Sequence, residues 1–105
     1  MSNADDRRDT EPWHPISNAV DLKTLGKLGE EVNELGSAIC RCVIQGVFEH
    51  EPVTGKLNSE WLEDEIADVQ AGMELTIRRF GLNRDRIQKR ADQKRTLLKN
   101  WHDKA

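Results

Sequence analysis

Apolar residues at positions 22, 25, 28, 32, 35, 39 and 43 keep the spacing of one face of an α-helix. A second set follows at Leu62, Ile66, Val69, Met73 and Phe80, and a third at Ile87, Ala91, Leu98 and Trp101. No stretch alternates apolar and polar residues for a useful strand length, so the expected fold class is all-α with three main helices. Turn chemistry supplies the boundaries. Ser17 or Asn18 can cap the first helix, expected over 18–48, and the segment 50–59, with Pro52, Gly55 and Asn58, reads as a loop. Ser59 or Asn58 then caps a second helix that Gly81 stops, and Asn83 caps a third reaching about Trp101. Gly26, Gly29, Gly36 and Gly46 weaken the first helix relative to alanine. Their number predicts a close helix approach, a kink or a break near 26–29.

With 105 residues and 36% hydrophobic content, the chain suffices for one small domain with a modest core. Residues 1–12 are polar and charge-dense without apolar periodicity and are expected to form a disordered tail, leaving 13–105 as the domain. A third of the residues are charged but the net charge is only −3, which argues against nonspecific DNA binding and against an anionic membrane as partner. Basic residues gather in the third helix, among them Arg84, Arg86, Lys89, Arg90, Lys94 and Arg95. Cys40 and Cys42 stand two apart on a helix and point in different directions, with no C-x-x-C motif or histidine at metal spacing. Free thiols in a reduced, cytoplasmic setting are expected. There is no run of about 18 apolar residues and no basic-then-apolar leader, so neither a membrane span nor a secretory signal is expected.

Two carboxylate pairs repeat one spacing, Glu31 with Glu34 and Glu65 with Asp68. At ~100° per residue, each pair falls roughly 60° and 120° to the same side of its helix's apolar stripe. Either pair alone is more often a solvated face than a ligand set. Together, on two helices packed stripe to stripe, they would converge in one cleft and repel unless a hard divalent cation such as Mg²⁺ or Mn²⁺ neutralised them. Glu30, Glu63 and Asp64 point elsewhere and read as solvated. A di-iron bundle wants Glu-x-x-His, and that spacing occurs only at Glu11 and His14, with Pro12 between them.

Cations share the acidic shoulder. Lys23, Lys27 and Arg41 are candidates for phosphate oxygens or for structural ion pairs. Lys94 lies within the apolar face of the third helix with Arg90 beside it, and is either a phosphate ligand or a lysine that snorkels to solvent. Trp13 and His14 precede the first helix, where they are candidates for stacking on a nucleobase; packing is the commoner fate of such a tryptophan. No Ser/His/Asp or Cys/His arrangement, P-loop or dinucleotide fingerprint is present.

Gly29-Glu30-Glu31-Val32-Asn33-Glu34-Leu35, followed by Glu65-Ile66-Ala67-Asp68-Val69, resembles the E-E-x-x-E and E-x-x-D motifs of the MazG-like all-α nucleoside triphosphate pyrophosphohydrolases. Within that superfamily, Arg41-Cys42-Val43-Ile44-Gln45-Gly46, Glu51-Pro52-Val53-Thr54-Gly55-Lys56 and Trp61-Leu62-Glu63-Asp64-Glu65 resemble the phage and prophage dATP/dGTP diphosphohydrolases of MazZ type. The resemblance implies that Glu31, Glu34, Glu65 and Asp68 hold Mg²⁺ and that a (d)NTP is cleaved to (d)NMP and pyrophosphate. Glu34, or Glu31, would also orient the attacking water. It further implies a four-helix-bundle-like core completed by a homodimer or a dimer of dimers. His14-Pro15 departs from the His-x-Pro stretch of some relatives, and the interval from Glu34 to Glu65 is long for the superfamily. A rival reading is a non-catalytic helical interaction module that binds nucleic acid or an acidic partner through the basic third helix; another is an inactive scaffold of the same fold.

Overall fold

Asn18 opens the first helix, its side-chain oxygen accepting the N–H groups of Val20 at 2.9 Å and Asp21 at 3.0 Å. The computed structural model describes residues 12–104 and contains three helices, α1 (Ala19–Gln45), α2 (Asn58–Phe80) and α3 (Arg84–Lys104). The expected tail over 1–12 lies outside the described residues except for Pro12. The fold class is all-α, and the described residues hold a single isolated bridge, between His50 and Leu57, and no strand. Gly46, at φ 106°, caps α1, whose last residue Gln45 falls three residues short of the expected Phe48. Gly81, at φ 59° and ψ 41°, takes the left-handed conformation that stops α2. The Asn83 side chain accepts the Arg86 N–H at 2.9 Å and starts α3.

Asn58 does something different from the capping expected of it. It lies inside α2, where Leu57 is the cap position and supplies no side-chain hydrogen bond. Its amide nitrogen instead donates to Gln45 Oε1 at 3.1 Å and to the Gly46 carbonyl at 3.0 Å, so it closes the C-terminal end of α1. Fully buried, it ties the two helices together across their loop. In that loop the Glu51 carboxylate accepts the N–H groups of Val53 at 3.1 Å and Thr54 at 2.8 Å.

Helices α1 and α2 pack as an antiparallel hairpin, but through faces turned from the predicted stripes. The buried residues of α1 are Thr24, Glu31, Ala38 and Cys42, and those of α2 include Val69 and Thr76. At ~100° per residue these faces are rotated by roughly 50° from the stripes, toward the acidic shoulders. Ile39 stays 47% exposed and Met73 43% exposed, with Val32 and Ile66 likewise on the outside. Small residues explain the choice of face. A Cβ added at Gly72 would stand 3.2 Å from Leu28 Cδ1 and 3.7 Å from Leu28 Cα, so the helices approach closely there. The glycines expected to mark close approach do not. Additions at Gly26, Gly29 and Gly36 meet nothing within 4 Å, and α1 runs through them unbroken, because they lie on the side away from α2.

Helix α3 has no buried residue. Its start is clamped to α2 by a fork in which Arg84 Nη1 lies 3.0 Å from Glu74 Oε2 and Nη2 lies 2.8 Å from Glu74 Oε1. Beyond the clamp, Ile87, Leu98 and Trp101 remain exposed.

Candidate metal centre

The rotation of the hairpin carries the acidic shoulders inward. Glu31, Glu65 and Asp68 each offer a carboxylate oxygen, and the three oxygens lie within 4.8 Å of one another. Glu31 comes from the middle of α1; Glu65 and Asp68 sit one turn apart on α2. Like charges at that separation repel, and Glu31 is only 8% exposed. One of its oxygens, Oε1, lies 3.0 Å from Lys27 Nζ. Its other oxygen, Oε2, is buried without a hydrogen-bond partner, as is Oε2 of Glu65. Buried carboxylate oxygens without donors are costly. An all-oxygen set with unused lone pairs could hold a hard divalent cation, and offers no nitrogen or sulfur to softer metals. Beside it a cleft of about 320 Å³ is lined by Lys27, Glu31, Asp68, Ala71, Gly72 and Leu75.

Glu34 stands outside the group of three. It is exposed, being farther round α1 than Glu31, yet it feels the group. The charge of Glu31 raises its carboxyl pKa above the ordinary value, with burial and the charge of Glu65 adding to the effect. Lys27 is held in the charged form by its hydrogen bond to Glu31 first, then by the charge of Glu30, whose carboxylate lies 3.6 Å away. The candidate phosphate ligand Lys27 is thus engaged with carboxylates.

The remaining candidates scatter. Arg41 lies over the Trp61 ring, its Cζ 5.5 Å from the centroid. Arg90 and Lys94 line a groove on α3 with Leu82, Ile87 and Ala91, and no α3 residue lines the cleft beside the acids. Trp13 is 74% exposed and His14 is also exposed, both in the non-helical segment before α1, so Trp13 does not fill a core. Sequence reasoning passed over Lys56, whose Nζ stands 4.2 Å from the Trp61 centroid, and Gly72. Lys56 lay within the Glu51–Lys56 stretch of the resemblance but had no assigned role there; Gly72 carried a signal of its own, a glycine beside the second apolar stripe.

The chain matches no protein-family model, no curated protein and no solved structure.

Proposed function

We propose that this chain is a metal-dependent nucleoside triphosphate pyrophosphohydrolase of the MazG-like kind that its acidic motifs resemble, acting on (d)NTPs, with purine dNTPs such as dATP and dGTP as the first substrates to test. The observation that carries the reading is the convergence of Glu31, Glu65 and Asp68 with two buried, unpartnered oxygens. A bound divalent cation, Mg²⁺ or Mn²⁺, neutralises a phosphate chain and lowers the pKa of coordinated water. Glu31, Glu65 and Asp68 are the residues that would hold it. Glu34, exposed beside them with a raised proton affinity, is suited to orient the attacking water and accept its proton. Water adds at the α-phosphorus, the bond to the bridging oxygen breaks, and pyrophosphate leaves with NMP as the second product.

The reading includes a second copy. Among the described residues only Ala38, Cys42 and Val69 are buried apolar side chains, which is a small core for a stable domain. The displaced stripe residues Val32, Ile39, Ile66 and Met73 supply a face for another hairpin, as a homodimer or dimer of dimers. No described helix is long and apolar enough to cross a membrane. Both cysteines are free, in keeping with a cytoplasmic setting.

Incubation with Mg²⁺ and a panel of nucleotides, with NMP and pyrophosphate resolved, tests the activity. Turnover lost on chelation and in Asp68→Asn is expected, and no turnover of any nucleotide at high enzyme concentration sinks it. Sedimentation equilibrium tests the assembly, with a dimer or tetramer expected and a monomer at micromolar concentration against it. One observation favours the rival interaction module: α3 is basic and has no buried residue. That reading predicts salt-sensitive nucleic-acid binding indifferent to Glu31 and Glu65, and a gel-shift titration without association at low salt removes it.

A further inference from the structure

Among the described residues, five buried side-chain atoms lack a hydrogen-bond partner: Glu31 Oε2, Glu65 Oε2, Arg41 Nε, Trp61 Nε1 and Asn58 Oδ1. Two are carboxylate acceptors and belong to the site already described. Two others, on Arg41 and Trp61, are N–H donors, and a buried donor asks for an acceptor as firmly as a buried carboxylate asks for a cation. Their placement is not scattered. Arg41 follows Glu34 by two helical turns on α1 and Trp61 precedes Glu65 by one turn on α2, so both stand on the edge of the hairpin that carries the acids.

The charges around this pair are already committed, with one exception. Lys56 lies over the Trp61 ring at 4.2 Å and is ion-paired with Asp64. The Glu51 carboxylate is occupied by its own turn, through the Val53 and Thr54 N–H groups and the Thr54 hydroxyl at 2.9 Å. Of the charges around this pair, Arg41 is the one for which no ion pair within 4 Å is found, although its charge reaches the Glu51 carboxylate. The Trp61 ring already faces Arg41 and Lys56, so what it has to offer is its N–H edge rather than a free stacking surface.

We propose that Arg41, Trp61 and Lys56 form an anion subsite next to the acidic cluster, one that takes the oxygens of a pyrophosphate group. Arg41 supplies a positive charge held in no ion pair and its Nε–H, Trp61 its indole N–H, and Lys56 a second positive charge shared with Asp64. A guanidinium beside a fixed N–H matches the multiple oxygens of a phosphate chain better than a single point charge does. The choice of ligand rests on the proposed hydrolase reading, in which pyrophosphate is the leaving group; the subsite would hold it while the carboxylates manage the cation side.

The test is a titration of the full chain with inorganic pyrophosphate in the presence of a chelator, in a Trp13→Phe, Trp101→Phe background so that Trp61 is the sole indole reporter. A saturable change in Trp61 fluorescence is expected, absent with sulfate at matched ionic strength. Arg41→Gln is expected to weaken binding by about tenfold or more, and Arg41→Lys, which keeps the charge but loses the Nε–H, by a smaller factor. No saturable response in the reporter background, or equal affinity in both Arg41 variants and the parent, overturns the proposal. Because neither metal nor turnover enters this experiment, its failure is separable from failure of the hydrolase reading: pyrophosphate binding without nucleotide hydrolysis retains the subsite alone, and hydrolysis without pyrophosphate binding retains the enzyme alone.

Discussion

Glu65→Gln separates the cost of the acidic cluster from its use. At an effective dielectric constant of about 20, two unit charges 4.8 Å apart repel by about 3 kcal/mol. Glu65 stands within that distance of both Glu31 and Asp68. Lys27 offsets part of the repulsion through Glu31, and the exposure of Asp68 screens another part. A net gain of about 1–2 kcal/mol is therefore expected on neutralising position 65 in metal-free protein. An amide there also brings a donor into a group that has buried oxygens without partners. For a domain of this size, each kcal/mol shifts Tm by roughly 4–8 °C, so the variant should melt several degrees above wild type in chelator. With Mg²⁺ or Mn²⁺ at about a hundred times its Kd, wild type should gain about 2.7 kcal/mol. The variant should gain little, and the order of the two melting temperatures should reverse. Differential scanning calorimetry with and without metal measures both. If Glu65→Gln melts below wild type in chelator, or keeps the wild-type response to metal, the cluster is not a strained ligand set and the reasoning is wrong.

Further substitutions probe the hairpin that builds the site. Gly72→Val forces a branched side chain against Leu28, already 3.2 Å from the Cβ position, and should cost roughly 1–3 kcal/mol in chemical denaturation and weaken the metal-induced shift in Tm. Gly36→Ala, with nothing within 4 Å of the new methyl, should instead stabilise by up to about 1 kcal/mol in the same assay. Asn58→Ala removes the donors to Gln45 and Gly46 and should destabilise by about 2 kcal/mol or more, read as a lowered denaturation midpoint with unchanged slope. The hydrogen bond from Arg84, together with its charge, lowers the Glu74 carboxyl pKa. Its contribution is present above the ordinary carboxylate pKa and is lost as pH falls through the lowered folded value, so amide exchange at the start of α3 should accelerate only under acid conditions, modestly for so exposed a pair.

The helices were legible because their signals are local. Asn18 and Asn83 cap through their own first turns, and Gly81 takes the left-handed conformation its position implied. Signals that act across the chain were not. Asn58 has the composition of a cap, but its amide reaches back to the end of α1, a contact that depends on how the loop returns. The apolar stripes were placed correctly on each helix, yet periodicity cannot say which of two flanks meets the neighbour when a stripe is wide enough to serve two. The decision falls to the small residues, Ala38 and Gly72, that let the backbones approach.

That same turn of about 50° decides the site. It takes Glu31 from the shoulder of a stripe to the centre of an interface, brings Glu65 and Asp68 to it, and leaves Glu34, farther round α1, outside the group. A hairpin seeking only apolar burial would have turned the other way, keeping Val32, Ile39, Ile66 and Met73 inside and the carboxylates in water. It buries Glu31 and leaves Val32, Ile39, Ile66 and Met73 exposed, two choices that are unfavourable for a lone chain without metal. Each becomes favourable with a different addition: a cation among the carboxylates, and a second apolar surface over the stripes. The two additions act on different faces of the same pair of helices, so a cation held by Glu31, Glu65 and Asp68 would lie within one chain and would leave the outer face free for another copy.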